Sequence, residues 1–335
     1  MQIFIYFKNR HPIENIVLKK MKKITLLPLV FLMVIITKSC NKSNQENKAA
    51  VEEEIIEENL PLIFDGESLK LVSNDFIFAE GPAVDTKGNV FFTDQPNDRI
   101  MKWDAQTNGI SVYMQPAGRS NGLFFDKDGN LLACADKKFE LWKIDKYKNV
   151  TVLLDNFENK NFNGPNDMWL DAKGGIYFTD PYYQRPYWER KESEMDMANV
   201  YYLSPDYSKV LIVASGLEKP NGIIGAPDGK TLYVSDNGAK ETFSFQINDD
   251  ASLSNKTLFV EVGSDGMTID NLGNVYLTNS KGVTAYNKFG IEVLNIPTGQ
   301  SWTANVTFGG PEQNILFITA MTSVYTLKMN VKGVR

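Results

Sequence analysis

EGPAVDTKGNVFFTD (residues 80–94) is the stretch from which the rest of the chain can be read. A polar residue is followed by Gly, a short apolar run, an Asp-x-x-Gly turn and a second apolar run. Two short apolar runs around an Asp/Gly reversal are the pattern of a β-hairpin. The same order recurs as NGLFFDKDGNLLACAD from Asn121, NDMWLDAKGGIYFTD from Asn166, NGIIGAPDGKTLYVSD from Asn221 and DGMTIDNLGNVYLTN from Asp265. A sixth, weaker copy, ANVTFGGPEQNILFITA, places Asn305 in the leading slot. The leading residues are spaced 41, 45, 55, 44 and 40 positions apart. Five of them stand eight residues before a turn glycine: Gly88, Gly129, Gly174, Gly229 and Gly273. The sixth copy has Gln313 at that offset, so its turn is altered.

A period of this length with two or more strands per unit, and no long helical periodicity, predicts an all-β fold, a six-bladed β-propeller. Runs such as Val90-Phe91-Phe92 and Ile176-Tyr177-Phe178 suit strands covered on both faces by neighbouring blades. Radial closure also leaves few exposed edges. A horseshoe solenoid would need shorter repeats and capping units. One closed domain is expected over residues 61–335, not two.

Composition narrows the chemistry. The chain has one His, at His11, and two Cys, at Cys40 and Cys134. Without the first 40 residues there is no imidazole and only Cys134 as an ordinary thiol. That excludes Ser-His-Asp triads, Cys-His dyads, HExxH sites and Cys/His zinc sites. What remains is carboxylate, amide, hydroxyl, Lys or Arg chemistry, or a metal bound through oxygen.

Residues 21–40, MKKITLLPLVFLMVIITKSC, carry a basic start and a 14-residue apolar stretch. The stretch is too short to span a bilayer comfortably and suits a signal h-region. Residues 1–20 fit no signal n-region, so translation is expected to start at Met21. The segment resembles a bacterial lipoprotein signal, with cleavage before Cys40 and Cys40 as the lipidated residue. Thr37 and Lys38 depart from the usual pattern there, and an ordinary signal peptide or an uncleaved anchor is the alternative. Residues 1–40 form this signal region, and residues 41–60, including VEEEIIEEN, a polar and acidic tether. The expected location is the bacterial cell envelope, lipid-anchored or periplasmic, with no membrane contact beyond the N-terminal anchor. Residues 1–40 hold seven basic side chains and one acidic, so removing them takes the net charge from −6 to about −12. Such a surface repels nucleic acid.

If the leading residue starts the innermost strand of each blade, Glu80, Asn121, Asn166, Asn221, Asp265 and Asn305 meet at one end of the central channel. The hairpin turns then lie roughly 17 Å away, at its other end. All six are oxygen donors. Gathered carboxylates repel each other and hold raised pKa values unless a cation neutralises them. Hard oxygen ligands select Ca²⁺, Mg²⁺ or Mn²⁺ over softly ligated zinc. Taken singly, each Asn-Gly or Asp-Gly is more readily a turn than a ligand; the shared register raises the case for a site. Asn305, in the weakest copy, is expected to be a wall residue.

The segments FAEGP around Glu80, FNGPND at residues 162–167, KPNG around Asn221 and SDGMTID around Asp265 resemble the senescence-marker-protein, regucalcin and gluconolactonase family of six-bladed propellers. The likeness covers roughly residues 70–330. It implies a divalent cation, Ca²⁺ foremost (Mn²⁺, Mg²⁺ or Zn²⁺ as alternatives), held by Glu80, Asn166, Asn221 and Asp265, and it implies hydrolysis of a small-molecule lactone. Some members carry an Arg just before the third-repeat Asn, where this chain has Asn163-Gly164-Pro165. With no His present, Asp265 is the expected catalytic base. Asn121 and Asn166 are expected on substrate hydroxyls or the carbonyl oxygen. A phosphotriesterase-like hydrolase using the same metal, or a non-catalytic binding propeller at the cell surface, remain alternatives.

The longest spacing contains an aromatic and charged insertion, residues 181–199. It reads as a substrate wall, with Tyr182, Tyr183, Tyr187 and Trp188 stacking on a sugar ring or lactone and Arg185 or Arg190 binding a carboxylate, or as a surface flap. Asp85, Asp126, Asp171 and Asp228 are expected to shape turns, and Asp94, Asp180 and Asp236 to bond neighbouring backbone. Cys134 is expected to be buried, and Met101, Met267 and Met321 to fill the core.

Overall fold

The computed structural model describes residues 61–334. The expected signal region, Cys40 and the expected tether lie outside them. Among the described residues, 24 strands form six four-stranded antiparallel sheets, one per repeat, and one short 3₁₀ turn, Gln95–Asn97, is the helical element. The propeller expected from the repeat is the fold found.

The first blade shows the plan: Ala79–Val84, Val90–Asp94, Arg99–Trp103 and Ile110–Met114, each paired with the next. The sixth blade differs. Its three inner strands, Asn305–Gly309, Ile315–Ala320 and Ser323–Lys328, come from the end of the chain. Its outermost strand is Lys70–Ser73, with Lys70 opposite Thr326 and Leu71 opposite Tyr325. The two ends of the domain are thereby joined by backbone hydrogen bonds, which closes the ring and covers an edge.

The turns form as their residues dictate. The Asp85 carboxylate accepts the N–H groups of Lys87 and Asn89 at 2.8 and 2.9 Å. Asp126, Asp171 and Asp228 do the same in their blades. Gly88 supplies the left-handed residue of the first turn at φ +85°, and Gln313 occupies the same region at +59° in the altered sixth turn. At the other end of the second strands, Asp94 accepts from the N–H groups of Ile77 and Phe78, Asp180 from Asn163 and Gly164, and Asp236 from Glu218 and Lys219. Each carboxylate thus latches the loop that leads into its own blade.

Aromatic and aliphatic side chains fill the wedges between blades. Phe162, Phe178 and Tyr201 pack with Leu132 and the fully buried Cys134 of the preceding blade, and Phe178 stacks on Tyr201 at 5.3 Å. Met101 and Met267 are core residues. Met321 is not: it is half-buried in a turn at φ +50°, where the chain reverses between two strands of the last blade.

The six innermost strands, Ala79–Val84, Ser120–Phe125, Met168–Leu170, Pro220–Gly225, Met267–Ile269 and Asn305–Gly309, adjoin one another around the axis. The glycine in the second slot of the repeat makes this possible. A Cβ on Gly81 would lie 2.0 Å from the Asn121 carbonyl oxygen, and one on Gly122 2.6 Å from that of Asn166. At Gly266 it would meet the Asn305 side chain at 1.9 Å. Each glycine therefore sits against the leading residue of the next blade. Gly122→Ala should lower the free energy of unfolding by about 2–3 kcal/mol, since the obstruction is backbone. Gly129→Ala, at a left-handed turn with open space around it, should lose only about 1 kcal/mol. Urea unfolding of the two variants measures both; equal losses would refute the close-approach account.

Candidate active site

The leading residues do converge. Glu80, Asn121, Asn166, Asn221 and Asn305 are all buried, at 5% exposure or less. Glu80, Asn121 and Asn221 stand in their inner strands at places where the pairing register breaks. Asn166 and Asp265 come two residues before theirs. Those irregularities free the side chains from strand pairing, so that they turn toward the axis.

Contacts among them join residues far apart in sequence. The Asn221 amide donates to Asp265 Oδ1 at 2.7 Å, and the Trp302 indole N–H donates to Asp265 Oδ2 at 2.5 Å. Both oxygens of Asp265 are therefore held in place. In the adjoining blade, Asn305 Nδ2 donates to Glu80 Oε2 at 3.0 Å and reaches Asp167 Oδ2 at 3.5 Å, while its own Oδ1 accepts the Val306 N–H. The Glu80 carboxylate also accepts the Gly81 N–H. Asn305, expected to be a wall residue, bridges two carboxylates with its amide.

Asp167 and Trp302 are the residues sequence reasoning missed. Asp167 stands in the second slot of the third repeat, where four other copies have Gly. A carboxylate where the fold otherwise admits no side chain was the available signal. Trp302 lies in an irregular loop outside the repeat pattern, and nothing in the sequence marked it.

The electrostatics follow from burial. Three carboxyl groups, the buried Glu80 and Asp167 and the half-buried Asp265, lie close together. Burial pushes Glu80 well up, and the nearby Asp265 and Asp167 push it further. Burial raises Asp167 to about 7, against the pull of the Met168 N–H and Asn305. Asp265 is raised for the same reason, with Trp302, Asn221 and the Arg185 guanidinium pulling it back.

The donor set fits a hard cation. Buried Oδ1 atoms of Asn121 and Asn221 have no hydrogen-bond partner, an expensive arrangement unless something else takes those lone pairs. No group of three or more His, Cys, Asp or Glu among the described residues is arranged to hold an ion by itself, so amide oxygens would have to contribute. Amide and carboxylate oxygens are calcium chemistry in kind.

Tyr183 and Arg185 both reach this region. The Tyr183 hydroxyl accepts from Asn221 Nδ2 at 3.3 Å, and the Arg185 guanidinium lies 5.7 Å from the Tyr183 ring. The rest of the insertion is fastened to the second blade and to the loop leading into the third. Trp188 is buried, its indole N–H donates to the Asp136 carbonyl at 2.9 Å, and Arg190 donates to the carbonyls of Phe162 and Asn163 while lying over Phe139. It is a fixed wall at this end of the channel.

Comparison with known proteins agrees with this architecture. Residues 78–322 match the family model described as the SMP-30/Gluconolactonase/LRE-like region, and the chain belongs to that family. It is 28% identical to a gluconolactonase of Zymomonas mobilis over 296 residues, 79% of this chain and 82% of that protein. A gluconolactonase structure from Xanthomonas campestris superposes with a TM-score of 0.74 at 26% identity, covering 80% of this chain and 94% of the other. Regucalcin of Agrobacterium tumefaciens, a calcium-binding protein, shares the fold at a TM-score of 0.68 and 18% identity, over 80% of this chain and 96% of its own.

The raised carboxyl groups make a pH prediction. Each binds a proton more readily folded than unfolded, so folding takes up protons between the ordinary value of 3.8 and about 7 for Asp167. In chelator, stability should therefore fall as pH rises across that window. Asp167→Asn should flatten the slope, as read by thermal unfolding from pH 4 to 8; an unchanged slope would remove Asp167 from the account.

Proposed function

We propose that this chain is a hydrolase that opens a sugar lactone, assisted by one divalent cation at Glu80, Asn166, Asn221 and Asp265, Ca²⁺ foremost. The observation that carries the reading is the convergence of buried carboxylates with two partnerless amide oxygens, Asn121 and Asn221, at one end of the channel. The names of the Zymomonas and Xanthomonas relatives support lactone as the substrate class.

Bound there, a divalent cation supplies Lewis acidity toward the lactone carbonyl. The chain's own residues supply the rest. Asp265, oriented through both oxygens by Asn221 and Trp302, takes the proton of the attacking water and returns it to the ring oxygen as the acyl C–O bond breaks, giving the hydroxy acid. Its raised pKa brings its basicity closer to the working pH than that of a free carboxylate. Asn121 and Asn166 hold ring hydroxyls or the carbonyl oxygen. Burial raises the Tyr183 phenol, which keeps it protonated and able to donate to the substrate. Arg185 stands beside it as a second donor group.

A pH-indicator assay with a gluconolactone, run with Ca²⁺, Mn²⁺, Mg²⁺, Zn²⁺ or chelator, tests the reading. Asp265→Asn should lower kcat by about 10²–10⁴-fold, and exhaustive chelation should abolish activity. Full activity in Asp265→Ala would sink the role of Asp265, and activity surviving chelation would sink the cation. Turnover of phosphotriesters but of no lactone would move the chain to the organophosphatase class.

The segment ending at Cys40 supports a second proposal, that the enzyme works at the cell envelope through a lipid on Cys40. Detergent-phase partitioning of the native protein should be lost in Cys40→Ala; identical partitioning would refute the anchor.

A further inference from the structure

Asp136 departs from the pattern its neighbours follow. The latching carboxylates pair across to the innermost strand, Asp94 with Ala79 and Asp236 with Pro220. In the second blade that place belongs to Ala135, opposite Ser120, and the carboxylate comes one residue later. A one-residue shift sends a side chain to the other face. The loop leading into this blade is held from elsewhere: Asp98 Oδ1 accepts the N–H groups of Ala117 and Arg119 at 3.0 and 2.7 Å. Asp136 is thus relieved of the latch, although it is 2% exposed.

What it binds instead is side chains. Its Oδ2 accepts from Gln95 Nε2 at 3.3 Å, from Arg185 Nε at 3.3 Å and from the Tyr187 hydroxyl. Arg119 lies 4.3 Å over the Tyr187 ring, and buried Trp188 holds the Asp136 carbonyl. Burial raises the Asp136 carboxyl, and Arg185 leads the groups that draw it down, with Arg190 behind. Arg185 commits its Nε to this contact. Among the described residues no protein acceptor takes its two terminal nitrogens, and it lies near enough to Asp265 and Tyr183 to favour their charged forms.

We propose that Asp136 is a positioning residue that holds Arg185 beside the ring with its charge balanced, so that the free N–H groups bind the oxygens of an uncharged, polyhydroxylated lactone in preference to an anionic one. A guanidinium paired with a buried carboxylate offers directed donors with little net charge. Glu80, Asp167 and Asp265 add acidic groups that disfavour a ligand carboxylate. The ligand half of this proposal rests on the lactonase reading; the positioning of Arg185 does not.

Three variants test it: Asp136→Asn, Arg185→Met and the double substitution. In substrate-free protein, phenylglyoxal labelling of Arg185, followed by mass spectrometry, should be about tenfold faster in Asp136→Asn. Equal labelling overturns the positioning role. In turnover, glucono-1,5-lactone is compared with glucaro-1,4-lactone, which bears a free carboxylate. Asp136→Asn should raise KM for the neutral lactone about tenfold with kcat nearly held, and move preference toward the anionic one. The double variant should be no worse than Arg185→Met. An unmoved preference, or effects that simply add, overturns the proposal. If Asp136→Asn does not fold, Arg185→Met carries the test alone, and an unchanged KM for the neutral lactone overturns it. A wild-type protein that opens neither lactone would refute the lactonase reading, while the labelling still decides Asp136.

Discussion

Everything at the channel depends on how closely six strands can approach one axis. The backbone of each inner strand lies against the leading residue of the next, at distances that leave no place for a Cβ at Gly81, Gly122 or Gly266. That contact draws side chains from positions some 40 residues apart into one buried cluster. It also excludes water from them, which is why three carboxyl groups there have raised pKa values and two amide oxygens lack partners. Close packing and unsatisfied oxygen are two consequences of one constraint. A small, hard cation is the kind of ligand that relieves the second without disturbing the first.

Against this regular frame, the informative residues are those that break it. Asp167 replaces the glycine of the third repeat and adds a carboxylate to the ring. Ala135 replaces the latching Asp of the second blade, and Asp136 one residue later faces the insertion instead. Asp98 takes over the vacated duty. The insertion itself departs from the spacing and brings Tyr183 and Arg185 to the site. A repeat fold tolerates such exceptions because away from the axis each blade packs mainly on its two neighbours, so one blade can give up a local contact that an adjoining loop replaces.

The propeller, its blade count and the gathering of the leading residues at the inner strands were legible in the repeat, because register within a hairpin is set locally by the turn and by alternation of side chains. The turn role of Asp85, Asp126, Asp171 and Asp228 was legible for the same reason. Closure by Lys70–Ser73 was not, since a four-residue strand carries no pattern and its partner lies some 255 positions away. Met321 was misread as core: a methionine near apolar strands looks like filler until the turn that holds it at positive φ is seen. Trp302 was invisible, because a single aromatic in an irregular loop has no periodic neighbour to give it meaning.

The sequence by itself determined the architecture and the chemical alphabet of this protein. A repeat of hairpins must close on itself to bury its strands, and a domain without histidine is left with carboxylate, amide, hydroxyl, Lys or Arg groups, or a metal bound through oxygen. Only the tertiary structure decided which oxygens are spoken for. Asn305 spends its carbonyl on its neighbour's N–H while Asn121 and Asn221 keep theirs free, and Asp136 turns from backbone to Arg185. These distinctions depend on hydrogen bonds between residues remote in sequence, and such bonds are set by the packing of blades rather than by any local pattern.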